Sequence, residues 1–301
     1  MSSIADLLRE ETAELPPRVE VVCDIIESRH PSRVQAFIYY GSSLRDLENP
    51  EKMLDFYVLV DSYRQTHKPI RALLNAMIPP AVYYVEHTDS HGVMSTCKYS
   101  ILSLAAFERR CSAKALLSQT WGRFSQPCVL MRSKSDGITS RIIQAREVAI
   151  RHIAAETDPL FKEAPTPQEF WARAFYESYR TELRPESSTE RTAEFVGQYL
   201  TRYERLSSIL YKMGENKIIL PTTRRKGAQL RWFFRRVLGK PMTAIRVINS
   251  AATFDGGLEY VLRKLKNHSG VTLKPTAFQR KHPVICAPIL GWKLWRKGAF
   301  R

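Results

Sequence analysis

Residues 36–61 read AFIYYGSSLRDLENPEKMLDFYVLVD, and the rest of the chain is organised around them. Two short runs, residues 37–40 and 56–60, are rich in aromatic and β-branched side chains, so both predict buried strands. The first run ends in Gly41-Ser42-Ser43, where a short helix could begin. Glycine lets backbone N–H groups approach a phosphate closely, and a helix start adds partial positive charge. The hydroxyl of Ser42 or Ser43 can donate to a phosphate oxygen. Asp55 stands at the entrance of the second run, where a carboxylate can hold Mg2+ beside that phosphate. Strand, Gly-Ser turn and a second strand bearing an acid make up the working centre of a nucleotidyltransferase fold. The same residues also fit a plain helix cap and a turn aspartate.

Working outward, residues 4–13 and 17–29 predict two helices around the Pro16-Pro17 break, with Val19, Val22, Ile25 and Ile26 as a core stripe. A helix over 67–77 follows the second strand, with His67 near its start. Residues 81–86 and 97–102 predict a third and a fourth strand. The fourth carries Lys98, which either meets a triphosphate or is a solvated edge lysine. A mainly helical stretch over 104–120 leads to a turn at 121–124 and a fifth strand over 127–131. Residues 138–155 read helical. The proline-rich segment 156–167 predicts a boundary between a nucleotidyltransferase-like domain (1–156) and a mainly helical, winged-helix-like one (157–290). Helices are expected over 168–184, 190–213 and 226–238, with shorter ones near 243–250 and 258–267. The fold class expected is α+β: a mixed sheet with flanking helices, then helices.

Composition narrows the partners. The chain of 301 residues is 44% hydrophobic and 25% charged, which suits a globular protein. Lys and Arg number 46 against 30 Asp and Glu, a formal charge of +16 that favours anionic partners. Its 5 cysteines are scattered without a C-x-x-C pair, as expected of reduced thiols. No apolar run reaches the roughly 20 residues that span a bilayer, and the start lacks the basic and apolar blocks of a secretory signal. A cytoplasmic protein is expected, peripheral on the inner face of a membrane. Two stretches bear on that surface. In residues 224–240 (RRKGAQLRWFFRRVLGK), Leu230, Phe233, Phe234, Val237 and Leu238 fall at helical spacing, with the arginines mostly off that face. Either the basic face meets an anionic surface, or the apolar stripe packs in the core beneath a solvated basic face. A tail, residues 291–301, interleaves Trp292, Trp295 and Phe300 with Lys293, Arg296, Lys297 and Arg301, and either meets a headgroup layer or docks on its own domain.

Several pieces recur in order: Tyr40-Gly41-Ser42, Met53-Leu54-Asp55-Phe56, Val60-Asp61 with His67, Val82-Tyr83-Tyr84, Lys98-Tyr99, and Gly122-Arg123 with Gln126-Pro127. Together they resemble the mitochondrial-type phosphatidate cytidylyltransferases, the mitochondrial translocator assembly and maintenance family, whose pattern runs YGS, MLDF, GVYYN, KYGVVS and GRLQKPV. The resemblance covers about residues 37–131. It implies that CTP and phosphatidate give CDP-diacylglycerol and pyrophosphate with a divalent ion. It further implies that Gly41 and Ser42 bind CTP phosphates, Asp55 binds Mg2+ and Lys98 neutralises developing charge. His67 and Asp61 would be further site members, and Arg123 would meet nucleotide or lipid phosphate. Ser43, Val85 and Ser100 depart from the family's Gly, Asn and Gly.

The acceptor on this reading is already an anionic phosphate monoester, so no protein nucleophile is needed. Catalysis is then positioning and charge neutralisation. Nucleotidyltransferases usually present a second acid two positions along the strand; here Tyr57 stands there. Asp61 lies ~20 Å further along an extended strand. Glu86 is therefore the candidate second metal ligand, or else an exposed strand-end acid. A soluble or RNA acceptor is the alternative; simple nucleic-acid binding would leave Gly41 and Asp55 without a role, so nucleic acid is not an expected partner.

Overall fold

β1 (Val34–Tyr40) and β2 (Leu54–Val60) form an antiparallel hairpin in which Tyr40 lies opposite Asp55. Both strands are covered on both faces, which is why they read as unbroken apolar runs rather than as an alternation. Gln35 and Asp55 alone among these residues are not fully buried. The computed structural model describes residues 3–298 apart from 48, 50, 51, 67, 68, 78, 90, 91, 183–187, 222–225, 252–257, 259–261, 263–265, 267, 268 and 282. His67, Arg224, Arg225, Phe300 and Arg301 therefore lie outside the described residues.

After β2 come two short helices, α1 and α2 having preceded β1: α1 (Ile4–Arg9), α2 (Pro17–Arg29), α3 (Tyr63–Thr66) and α4 (Pro69–Met77). β3 (Ala81–Thr88) and β4 (Met94–Ser103) form a second antiparallel hairpin, and β5 (Val129–Ser133) closes the sheet. The five strands run in the order β3-β4-β2-β1-β5. β2 and β4 are parallel, a pairing that needs the long crossover through α3, α4 and β3. One face is covered by α2, whose Cys23 meets Met131, and whose C-terminal His30 packs on Tyr83 and Tyr99. The other is covered by α5 (Leu104–Cys111) and α6 (Gln119–Phe124), through Phe107, Phe124 and Tyr57.

The helical half comprises α7 (Asp136–Thr157), α8 (Pro167–Tyr179), α9 (Thr189–Gln198), α10 (Leu200–Leu210), α11 (Ala228–Ala251), α12 (Ala277–Lys281) and α13 (Pro283–Arg296). The α+β class with a mixed sheet and flanking helices is thus the one observed. The buried residues form one contiguous cluster from Ile4 through the sheet to Phe170, Trp171, Tyr203 and Trp232. α7 runs through position 156 and is followed by a 3-10 turn, Asp158–Leu160, so helical backbone covers the start of the proline-rich segment. A smaller cluster joins Leu258, Leu262, Cys286, Leu290 and Leu294.

Four local expectations change. Residues 121–124 are helical, because Trp121 and Phe124 both reach the core. The helix expected over 190–213 is two helices and then a hairpin, β6 (Lys212–Gly214) and β7 (Lys217–Ile219), turned by positive φ at Glu215 and Asn216. α11 continues through Pro241, joining two expected helices. Residues 291–296 are the end of α13 and not a separate tail: Leu290 and Leu294 anchor that helix, while Trp292 and Trp295 are exposed. Among the described residues no helix is long and apolar enough to cross a membrane.

Candidate functional site

The turn after β1 folds directly over Asp55. Gly41 has φ +98°, and a β-carbon there would stand 2.9 Å from Asp55 Oδ2 and 3.2 Å from its Cβ. Glycine is required on both counts: L-residues are strained at that φ, and the carboxylate occupies the space a side chain would need. The turn and the acid, separated by a 13-residue connection of mixed character, therefore meet at one place.

Strand register supplies the next residue. Asp55 lies opposite Lys98 on the parallel β4, and Lys98 Nζ stands 2.8 Å from Asp55 Oδ1. The side chains are 30% and 17% exposed, so the pair is partly screened from water yet open to a ligand. Tyr84 lies opposite Lys98 on β3, giving a row of Tyr40, Asp55, Lys98 and Tyr84 across four strands. Burial, and then the nearby Asp55 charge, push the Tyr40 phenol well above its ordinary range, which keeps it protonated. Arg123 enters from α6 with its guanidinium 5.0 Å over the Tyr40 ring and 4.0 Å from Glu182. Tyr40 and Glu182 thus hold Arg123 beside the row. Tyr40 stands in the sequence only as the residue before Gly41; the strand register sets it opposite Asp55. Glu182 has no such signal, being far along the chain.

Other expected members stand elsewhere. Ser42 is exposed on the turn, but the helix it was expected to open is a single 3-10 turn, Ser43–Arg45, too short for an appreciable dipole. Ser43 is buried and turned to the Tyr39 phenol, whose strand position alternates with Tyr40 and faces the opposite side of the sheet. Asp61 lies past the far end of β2, paired with Arg33 at 3.1 Å and accepting from the Ser62 N–H. Glu86 is exposed and opposite Thr96, on the same face as Lys98 but two strands from Asp55. Strand spacing and rise put the two Cα atoms ~12 Å apart, too far to share one ion without rearrangement. Among the described residues no group of three His, Cys, Asp or Glu side chains gathers as a metal site. A resident ion held by protein ligands alone does not fit this donor set. An ion delivered on a triphosphate needs only one or two carboxylates, and Asp55 can supply one.

The basic helix is turned the other way from a core stripe under a solvated basic face. Arg231 and Arg235 of α11 meet the buried Glu156 at 2.8 and 2.6 Å, and Arg236 meets the buried Glu177 at 2.8 Å. Arg235 also lies over Trp121 and Trp232. Leu230, Phe233, Phe234, Val237 and Leu238 are instead 44–60% exposed. On α13, Trp292 and Trp295 are exposed as well. A cavity of about 330 Å³ lies apart from this chemistry, between the N-terminal segment and α10. Its acids are already committed, Glu10 to Arg205 and Glu11 to Arg146 and Arg202.

No family model and no curated protein matches this chain. Among solved structures it is similar to a nucleotidyltransferase-like protein from Exiguobacterium sibiricum, at 11% identity over 93% of this chain and 92% of that one, with a TM-score of 0.28. A likeness of that size assigns no reaction, and the functional reading rests on the site's own geometry.

Proposed function

We propose that the chain transfers a cytidylyl group from CTP to phosphatidate, giving CDP-diacylglycerol and pyrophosphate at an anionic membrane surface. One observation carries the reading: the Gly41 turn, Asp55 and Lys98, distant in sequence, converge on one face of the sheet. The phosphate oxygen of the acceptor attacks the α-phosphorus, and pyrophosphate leaves as the bond to the β-phosphate oxygen breaks. Both reactants are anions, so the barrier is largely their mutual repulsion. Lys98, bound to Asp55 until substrate arrives, supplies a cation that can turn to the phosphates. The turn at Gly41 offers backbone N–H groups with no side chain in the way. Arg123 is held close enough to add a second cation. Asp55 would hold the Mg2+ that travels with the triphosphate, whose chemistry is to neutralise phosphate charge.

The exposed apolar side of α11 favours a lipid acceptor over a soluble one. Aromatic and aliphatic side chains on one helix face, beside the tryptophans of α13, suit insertion at a headgroup layer. The test is synthesis of CDP-diacylglycerol from CTP by the folded protein with Mg2+ and phosphatidate vesicles. Asp55→Ala should abolish it. No product with any phosphatidate would refute the lipid reading; product from a soluble or RNA acceptor instead would keep the nucleotidyl transfer and change its target.

A further inference from the structure

The cavity of about 330 Å³ is enclosed by stretches that only the fold brings together: α1 with the segment that follows it, the 3-10 turn Ser43–Arg45, the approach to β5, and the start of α10. That volume lies at the lower end of the range in which small-molecule sites fall. Leu7, Ala13, Leu44 and Val129 give it an apolar body, and Arg202 and Arg205 border it beside Glu10 and Glu11. Leu44 belongs to the turn that Gly41 opens three residues earlier. Arg45 of the same turn donates to Gln198 Oε1 at 3.2 Å, and its guanidinium lies 5.7 Å over the Phe195 ring. The turn therefore rests on α9 as well as on the cavity.

The charges decide what the cavity can take. Glu11 is committed to two guanidiniums: one oxygen accepts from Arg146 at 2.6 Å and the other from Arg202 at 2.7 Å. Glu10 accepts from Arg205 at 2.7 Å. Three guanidiniums thus face two carboxylates, which leaves one positive charge in excess and neither acid free for a cation. Arg202 has nine-tenths of its side chain buried. Its Nε donates to Glu11 and its Nη1 to the Ser125 carbonyl, while Nη2 is shut off from water with no hydrogen-bond partner. A buried donor left unmade is costly, and an anionic acceptor satisfies it best. The apolar lining suits a hydrocarbon body attached to that anion. One excess charge matches a carboxylate, which carries one, better than a phosphate monoester, which carries nearly two.

We propose that this cavity binds a small monocarboxylate with an apolar tail, its carboxylate on Arg202 and Arg205 and its tail against Leu44, and that the occupant acts on the Gly41 turn through Leu44. The carboxylate reaches Nη2 once the free edge of the Arg202 guanidinium turns into the cavity. Filling the space behind Leu44 holds the 3-10 turn in place, and a turn already held costs less to order when a phosphate binds it. The ligand of the cavity and its effect on the turn do not rest on the cytidylyl-transfer reading; only the effect on a nucleotide does.

The test titrates the full chain with octanoate by calorimetry, with 1-octanol and octyl phosphate as comparisons, and follows the Leu44 methyl and Gly41 amide resonances by NMR with selectively labelled leucine and glycine. Octanoate should bind at least tenfold more tightly than 1-octanol, which lacks the charge, and more tightly than octyl phosphate, and it should shift both resonances. Thr201 borders the cavity and is exposed, so Thr201→Trp should block it; Arg205→Gln should remove the excess charge. Each should weaken octanoate at least tenfold. Both side chains reach the surface, so melting within about a degree of wild type shows the loss to be one of binding. Should either variant unfold, the comparison of octanoate with 1-octanol and the Leu44 shift in wild type still decide. Tighter binding of octyl phosphate than of octanoate overturns the carboxylate assignment. Equal binding of octanoate and 1-octanol, or octanoate affinity unchanged in both variants, overturns the site. A shift at Leu44 with none at Gly41 overturns the action on the turn. Octanoate should also tighten CTP with Mg2+ about threefold; if CTP does not bind while octanoate does, the cavity's ligand stands and the cytidylyl-transfer reading fails.

Discussion

Gly41→Ala tests whether the turn and the acid act as one unit. Two costs arise. The first is backbone strain: φ is +98° at Gly41, and such a conformation costs an L-residue about 1–3 kcal/mol. The second is steric. The new methyl would stand 2.9 Å from Asp55 Oδ2, 3.2 Å from its Cβ and 3.4 Å from its Cγ. The carboxylate can swing away only by leaving Lys98, and the Cβ cannot swing at all; crowding of this kind costs about 1–3 kcal/mol. Gly92→Ala is the control, because Gly92 has φ +80° but nothing within 4 Å of the added carbon. With unfolding entropy near ~2.1 cal/mol/K per residue, a chain of this length loses roughly 1.6 °C per kcal/mol, so Gly41→Ala should melt about 2–5 °C below Gly92→Ala. CTP with Mg2+ at a hundredfold excess over Kd should stabilise wild type and Gly92→Ala by ~2.7 kcal/mol, or about 4 °C, and leave Gly41→Ala unmoved. Differential scanning fluorimetry reads both. Equal melting temperatures for the two variants, with the nucleotide shift retained in Gly41→Ala, would refute the coupling.

Glu156→Gln removes the shared partner of Arg231 and Arg235 and leaves two guanidiniums facing a neutral amide; it should cost about 3–5 kcal/mol, read by urea denaturation. Burial opposes the charge on Glu156 and on Glu11, but their paired arginines outweigh it and hold both carboxyls below the ordinary range. The unfolded chain then takes up protons first as pH falls. The stabilisation is complete above about pH 5 and is lost as pH drops through the folded-state values, so wild type should weaken steeply below pH 4.5 and Glu156→Gln less steeply. Phe233→Ser with Phe234→Ser changes two exposed side chains, so melting should shift by less than a degree while co-sedimentation with phosphatidate vesicles falls; a large loss of stability would place these rings in a packed interface instead.

Much of the sheet was legible along the chain because its signal is local. β1 and β2 are apolar runs rich in aromatic and β-branched residues, and Gly41 follows the first with the freedom its φ demands. Even Asp55 stands out, as the one charged residue in the apolar run of β2. Boundaries were less legible where tertiary packing overrode local preference. Gly122 sits inside α6 because a close approach to Ser178 leaves no room for a side chain there, and not because it turns the chain.

What the amino-acid order determined alone was the five strands of the main sheet, the nearness of the Gly41 turn to Asp55 and the two-sidedness of α11. Periodicity says that a helix has an apolar side and a basic side; it does not say which one faces inward. That was decided by Glu156 on α7 and Glu177 on α8, two buried acids that draw in Arg231, Arg235 and Arg236 and leave Phe233 and Phe234 at the surface. The meeting of Lys98 with Asp55 was likewise decided only by the fold. Parallel register joins residues that no local pattern connects, because burial energy is summed over the whole core and charges must settle where that packing puts them.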